Sequence, residues 1–185
     1  MKKKIKYVKV NLDNINIAYS IQKNEWPNDM DYETFEHNAL KGNDKNINFI
    51  AYYQGKPIGI TGVYEENIDN SSLWLDWYCL SKEYRGKGLG KQILLDTIEY
   101  CKQFEDIEFF RVESNLRIDR ESTNLYLKVM DFIEKYTIED VNKNQGYYIC
   151  TKCLKPNAKY VPWNNRYLGL NEHYNLLRNN KKTLH

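Results

Sequence analysis

Apolar positions change their period several times along the chain, and each change predicts an element boundary. In Ile5-Lys6-Tyr7-Val8-Lys9-Val10 the side chains alternate, which predicts a short strand. From about Ile15 to Lys23 the spacing is helical, with Ile17 and Ile21 on one face. Trp26-Pro27-Asn28-Asp29 breaks that pattern, and Asp31 is placed to cap a second helix running to about Leu40. "NFIAYYQ" and "PIGITGVYEE" flank Gly55-Lys56 and predict a hairpin, and the polar run "NIDNSS" predicts a loop after it. "LWLDWYCL" is apolar on both faces, as a central strand covered on both sides must be. A glycine-rich turn then leads into a helix from about Gly88 to Gln103, whose buried stripe is Leu89, Ile93, Leu94, Thr97, Ile98 and Cys101.

"FFRVES" reads as another buried strand. Residues 122–133 predict a helix with Leu125, Tyr126, Val129, Met130 and Ile133 on one face. "EKYTIEDV", a turn at Asn142 to Gly146, and "YYICTKCL" form a second hairpin. The order is β-α-α-β-β-β-α-β-α-β-β, which predicts a mixed α/β fold. At 185 residues the chain suits one domain, placed at 1–154. Residues 155–185 carry two prolines and scattered aromatics and read as a C-terminal extension, which either wraps back or meets a partner chain, as in a homodimer.

Composition narrows the function classes. A net charge of +2 with 28% charged residues leaves no large cationic field, which argues against a dedicated nucleic-acid binder. No apolar run approaches a membrane span, and "MKKKIKYVKVNLDN" lacks the apolar stretch of a secretory signal. Cys79, Cys101, Cys150 and Cys153 are therefore expected to be reduced thiols in the cytoplasm. Cys150 and Cys153 lie in a strand with no second ligand pair, so no metal site is expected. His37, His173 and His185 match no catalytic pattern, and the lysines at 2–4 read as a solvated start.

The chemistry lies in "YRGKGLGK". Glycines let backbone amides point at an anion, and a following helix N-terminus adds partial positive charge there. A P-loop needs G-x-x-x-x-G-K-S/T, whereas here Gly86 and Gly90 are too close and Gln92 follows Lys91. A dinucleotide fingerprint needs a third glycine where Lys91 stands. The run Arg85-Gly86-Lys87-Gly88-Leu89-Gly90, between a strand and a helix, resembles the Arg/Gln-x-x-Gly-x-Gly/Ala signature of the GCN5-related N-acetyltransferases (GNAT). The lead-in "CLSKEYRG" is similar to that family's own, with Ser81-Lys82 where a proline is often seen. Val112-Glu113-Ser114-Asn115 resembles its strand end. Leu125-Tyr126-Leu127-Lys128-Val129-Met130-Asp131-Phe132 resembles its Leu-Tyr-x-Lys-x-Gly-Phe ending, with Met130-Asp131 in place of the glycine.

The resemblance implies a GNAT-like acyl-CoA acyltransferase fold: a central, mixed but mostly antiparallel sheet of six to seven strands flanked by four helices. It implies an N-acetyltransferase moving acetyl from acetyl-CoA, as donor substrate and without a metal, to a primary amine in a ternary complex. The acceptor is left open between a small molecule, a peptide and a protein, and the alternative is a catalytically silent acyl-CoA-binding relative. The amides of Gly86, Lys87, Gly88, Leu89, Gly90 and Lys91 would hold the pyrophosphate, with charge from Arg85, Lys87 and Lys91. Cys79 and Leu80 would lie along the pantetheine arm with Leu80 N–H facing the thioester carbonyl, and Asn115 would contribute from its strand end. Tyr126 would protonate the leaving thiolate. Asp76 is the candidate base, expected from alternation to share a face with Trp74, Tyr78 and Leu80; its bland alternative is a structural pairing. Glu25, Asp29, Asp31 and Glu33 beside Trp26 and Tyr32 would suit a cationic acceptor, or equally cap helices.

Overall fold

A computed structural model of the chain describes residues 3–28, 32–67, 69–115, 120–137, 146–163 and 173–178. They fall into two compact units. The first comprises residues 1–66 and 73–103, the second 67–72 and 104–185.

In the first unit, β1 (Ile5–Lys9), β2 (Ile47–Tyr53) and β3 (Lys56–Glu66) form an antiparallel meander, and β4 (Asp69–Leu80), which belongs to this unit from Leu73 onward, neighbours β3. The period-two patterns produce these strands, and Gln54-Gly55, both at positive φ, makes the tight hairpin turn between β2 and β3. Helices α1 (Ile15–Glu25) and α2 (Tyr32–Lys41) cover one face. Val10, Ile15, Ala18, Ile21, Phe35, Ile50, Ile60 and Cys79 form the core there, with Trp26, Tyr52 and Trp77 against it. Helix α3 (Leu89–Cys101) covers the other face, packing Leu89 and Ile93 on Ala51, Ile58 and Leu80, with Tyr7 and Tyr78 at the margin. Pro27 stops α1 because it lacks an N–H and disfavours helix in the residue before it.

In the second unit the strand order is β5 (Phe109–Asn115), β7 (Gly146–Cys153), β6 (Phe132–Thr137), β8 (His173–Arg178), every pair antiparallel. Helix α4 (Arg120–Val129) is tied to β5 by a 2.5 Å bond between the Ser114 and Thr123 hydroxyls. The core holds a buried charge cluster. Arg111 Nε lies 3.1 Å from Asp69 Oδ2 and its NH1 3.8 Å from Glu134 Oε1, with all three side chains almost wholly buried. Burial of these charges is tolerable only because every partner is present. Ser72, Thr151 and the Val161 carbonyl accept from the guanidinium, while the Tyr136 and Tyr160 hydroxyls and Trp163 N–H donate to Glu134.

The mixed α/β class, the mostly antiparallel pairing and, among the described residues, four α-helices stand as the resemblance implied. Two details differ, and for residues 155–163 the structure takes the wrapped-back arrangement of the two expected. The last four residues of "NIDNSS" are not a loop: β4 already begins at Asp69, whose carboxylate is needed by Arg111. Helix α4 ends at Val129 and Ile133 belongs to β6, because Met130 N–H closes the last turn on Tyr126 O and Asp131 N–H then bonds Thr151 O. Residues 155–163 fold onto the second unit's own core, Tyr160 stacking on Phe132 at 3.9 Å, and β8 adds a strand beyond β6, where His173 pairs with Thr137. The predicted cap Asp31, the turn 142–145 and His185 lie outside the described residues.

Candidate active site

The glycine turn leaves backbone amides uncovered at the start of α3. Gly86 (φ 70°) and Gly88 (φ 74°) both adopt the left-handed conformation that an L side chain strains to reach, and a Cβ at either would point into open space. Gly88 is the N-cap of α3 with no side chain capping it, so the first-turn amides remain for a ligand. Gly90 is crowded rather than strained: a Cβ there would stand 3.1 Å from the Tyr78 hydroxyl, which donates to Gly90 O at 2.8 Å.

The cations around the turn are differently employed. Lys91 is exposed. Lys87 donates to Glu83 O at 2.7 Å and lies 5.5 Å from the Tyr84 ring centroid. Arg85 turns back, donating from Nε to Leu80 O at 3.0 Å and pairing through NH2 with Glu25 at the end of α1. Lys3 arrives from the chain start: its ammonium donates to Lys87 O, and its backbone exchanges bonds with the Gln92 side chain at 2.9 and 2.5 Å. The lysine run thus touches the glycine turn at Lys3.

Strand β4 carries the next residues, and here the expected alternation fails. Tyr78 and Leu80 pack on the α3 face, Trp77 and Cys79 on the α1–α2 face. Asp76 also turns to the α1–α2 face: its Oδ2 accepts from Asn48 Nδ2 at 2.8 Å, and Asn48 Oδ1 accepts from Asn38 of α2 at 2.8 Å. Consecutive Asp76 and Trp77 on one side mean the strand slips register by a residue, as a β-bulge does. Asp76 is therefore not on the face of Tyr78 and Leu80. It is half-buried beside Trp77, whose ring meets Trp26 at 5.2 Å. Glu25 and Trp26 come from the stretch that sequence reasoning offered for the acceptor; Asp29 and Asp31 lie outside the described residues, and Glu33 is exposed in the first turn of α2.

Cys79 is buried, and burial pushes its thiol up to about 12, partly offset by a backbone bond from Ile60. Cys101 and Cys150 are likewise pushed up to about 12, chiefly by burial, and Cys153 is raised. None is a thiolate nucleophile near neutral pH. Among the described residues no group of three or more His, Cys, Asp or Glu is placed to hold a metal, and no helix is long and apolar enough to cross a membrane. In the second unit, Tyr126 is buried on α4, and Asn115 ends β5.

Residues 12–132 match the model of the acetyltransferase (GNAT) family. The chain belongs to that family. Spermine/spermidine N(1)-acetyltransferase of Bacillus subtilis (strain 168) is 37% identical to this GNAT chain over 57 residues, 28% of the chain and 38% of that protein. The chain thus spans little more than a third of the curated relatives it matches. In structure it is similar to a GNAT-family protein from Desulfovibrio desulfuricans (TM-score 0.70, 11% identity, 82% of this chain and 100% of that one). It is also similar to spermidine N-acetyltransferase from Vibrio cholerae in complex with CoA and spermine (TM-score 0.63, 14% identity, 81% and 95%). These two likenesses are of fold.

Sequence reasoning missed Asn38, Asn48 and the Glu25–Arg85 pair. Asn48 did leave a signal, a lone amide inside the apolar run "INFIAYY", where burial demands a partner. The Glu25–Arg85 pair left none, because its members are far apart in the chain.

Proposed function

We propose that this GNAT chain transfers an acetyl group from acetyl-CoA to a primary amine, directly and without an acyl-enzyme. One observation carries the reading: two left-handed glycines open the uncapped N-terminus of α3, with Arg85, Lys87, Lys91 and Lys3 around it. Backbone amides of 86–91 would hold the donor's diphosphate, which supplies nothing to the reaction beyond anchoring its thioester. Cys79 and Leu80 would flank the pantetheine arm, and the Leu80 N–H would stabilise charge on the thioester oxygen. Direct transfer is favoured because burial keeps Cys79, the one thiol on that strand, protonated.

The attacking amine must shed a proton, since a free alkylamine has a pKa of about 10.4. Asp76, held by Asn48 on the α1–α2 face, is the base, acting directly or through water. As the C–N bond forms and the C–S bond breaks, Tyr126 returns a proton to the leaving sulfur; its support is the motif and its place on α4, and Asn115 keeps its assignment to the donor on the same ground. The Trp26–Trp77 pair, Glu25 and Asp76 suit an acceptor with an alkyl stem and cationic ends. The polyamine acetyltransferases among its relatives make such amines the first to try. Four free thiols suit a reducing cytoplasm. Residues 1–154 would form the catalytic domain and 155–185 its extension. The test is thiol release from acetyl-CoA by the purified chain with a panel of mono-, di- and polyamines. Turnover with at least one amine supports the reading, and donor binding with no acetylation of any amine or basic peptide opposes it.

A further inference from the structure

Glu25 and Arg85 belong to two different parts of the proposed site yet share one ion pair. Arg85 opens the donor's glycine turn, and Glu25 ends α1 beside Trp26 on the acceptor side. The Glu25 side chain is 8% exposed, while that of Arg85 is 41% exposed. Only one carboxylate oxygen of Glu25, Oε2, is bonded among the described residues, and the donor to it is Arg85 NH2. The other oxygen keeps a narrow opening to solvent, through which a cationic or N–H group can bond it. Arg85 has the complementary surplus. It spends Nε on Leu80 O and one terminal nitrogen on Glu25, which leaves other N–H groups on its exposed side. Both charges also bear on the Cys79 thiol, Glu25 raising and Arg85 lowering it, so the pair stands at the end of β4 where the thioester is expected.

We infer that the Glu25–Arg85 pair couples the two substrates, Arg85 taking the donor's phosphate and Glu25 the acceptor's ammonium in one alternating chain of charges. This rests on the acetyltransferase reading and goes beyond it. A phosphate on Arg85 shares the guanidinium that otherwise neutralises Glu25, which leaves the carboxylate more attractive to an ammonium. An ammonium on Glu25 loosens its hold on Arg85 and so favours the phosphate. The two effects are equal by linkage, so each substrate tightens the other by the same factor, in the range of about 5- to 150-fold. Glu25 is then a positioning residue for the donor and a direct contact for the amine.

The sign of one effect separates this role from a merely structural one. If Glu25 only braced Arg85, Glu25→Gln would weaken donor binding. If Glu25 competes for Arg85, the same variant binds the donor alone as tightly as the parent or tighter, while losing the effect of amine. The experiment is calorimetric titration, into the parent, Glu25→Gln and Glu25→Asp, of acetyl-CoA alone and of free CoA, which carries the same phosphates but no acetyl group to transfer, the latter with and without saturating spermidine. The coupling predicts a CoA Kd at least 5-fold tighter with spermidine in the parent, no such change in Glu25→Gln, and partial recovery in Glu25→Asp. A parent Kd indifferent to spermidine overturns it, and so does weaker donor binding by Glu25→Gln alone. Absence of acetyl-CoA binding in every protein overturns the acetyltransferase reading itself, whereas binding without coupling overturns only the bridge.

Discussion

Replacing Asn48 by Leu would remove the 2.8 Å hydrogen bond it donates to the proposed base, Asp76. Asn48 is 2% exposed, donates to Asp76 at 2.8 Å and accepts from Asn38 at 2.8 Å. An amide bond to a carboxylate contributes about 1.5–3 kcal/mol and a neutral one about 0.5–1.5, and leucine's added apolar burial offsets part of the loss. The net cost is about 1–3 kcal/mol. At this chain length that lowers Tm by about 2–12 °C. Gly62→Ala should act on the same link, because its Cβ would land on the Asn48 amide nitrogen and on Ile47 O. Catalysis should suffer more than binding: a displaced Asp76 lowers kcat by about 10- to 100-fold, while donor KM stays because the glycine turn is untouched. Thermal denaturation and steady-state kinetics read both effects. A double-mutant cycle with Asp76→Asn should give a coupling of about 0.5–3 kcal/mol. Asn48→Leu with an unchanged Tm and full kcat would refute the link between this hydrogen-bond chain and the base.

Three further outcomes are expected. Ending the chain at Leu154 removes the Tyr160 and Trp163 donors from buried Glu134 and the Val161 acceptor from Arg111. The truncated chain should lose at least about 3 kcal/mol, read by denaturant melts, and equal stability would show that the extension is dispensable. Cys79, Cys101 and Cys150 have pKa values raised from 9.0 to about 12, so the folded state keeps protons that the unfolded chain releases. Their stabilisation is complete below pH 9 and is lost as pH rises toward 12, by about 1.4 kcal/mol per pH unit for each thiol; melts flat across that window in the parent would contradict it. Tyr126→Phe should lower kcat by about 100-fold or more with little change in donor affinity, and an undiminished kcat would return Tyr126 to the core.

Most elements were legible because their periods are local. The αL glycines, the β2–β3 hairpin and the stripe of α3 all follow from neighbouring residues. Asp76 shows where that logic stops. Strict alternation put it with Tyr78 and Leu80, but a slip between Asp76 and Trp77 leaves no mark in "WLDWYCL", and Asn48 lies on another strand. Likewise "NIDNSS" is polar enough for a loop, yet Asp69 and Ser72 are drawn into a buried strand by Arg111, distant in sequence. Ile133 fitted the helical face of α4, but β7 claims it for pairing with Cys150. The extension gave no period at all. Its aromatics pack on Glu134 and Phe132, partners that only the folded sheet assembles.

The claim at the centre is that the turn at 86–90 seats a diphosphate. Its most direct test is calorimetric titration of acetyl-CoA into the parent and into Gly88→Glu. A side chain there strains a left-handed residue by about 1–2 kcal/mol and sets a negative charge at the helix N-terminus. Micromolar binding by the parent, absent in a folded Gly88→Glu protein, is the predicted result. Equal binding by both, or none by the parent, would contradict the account.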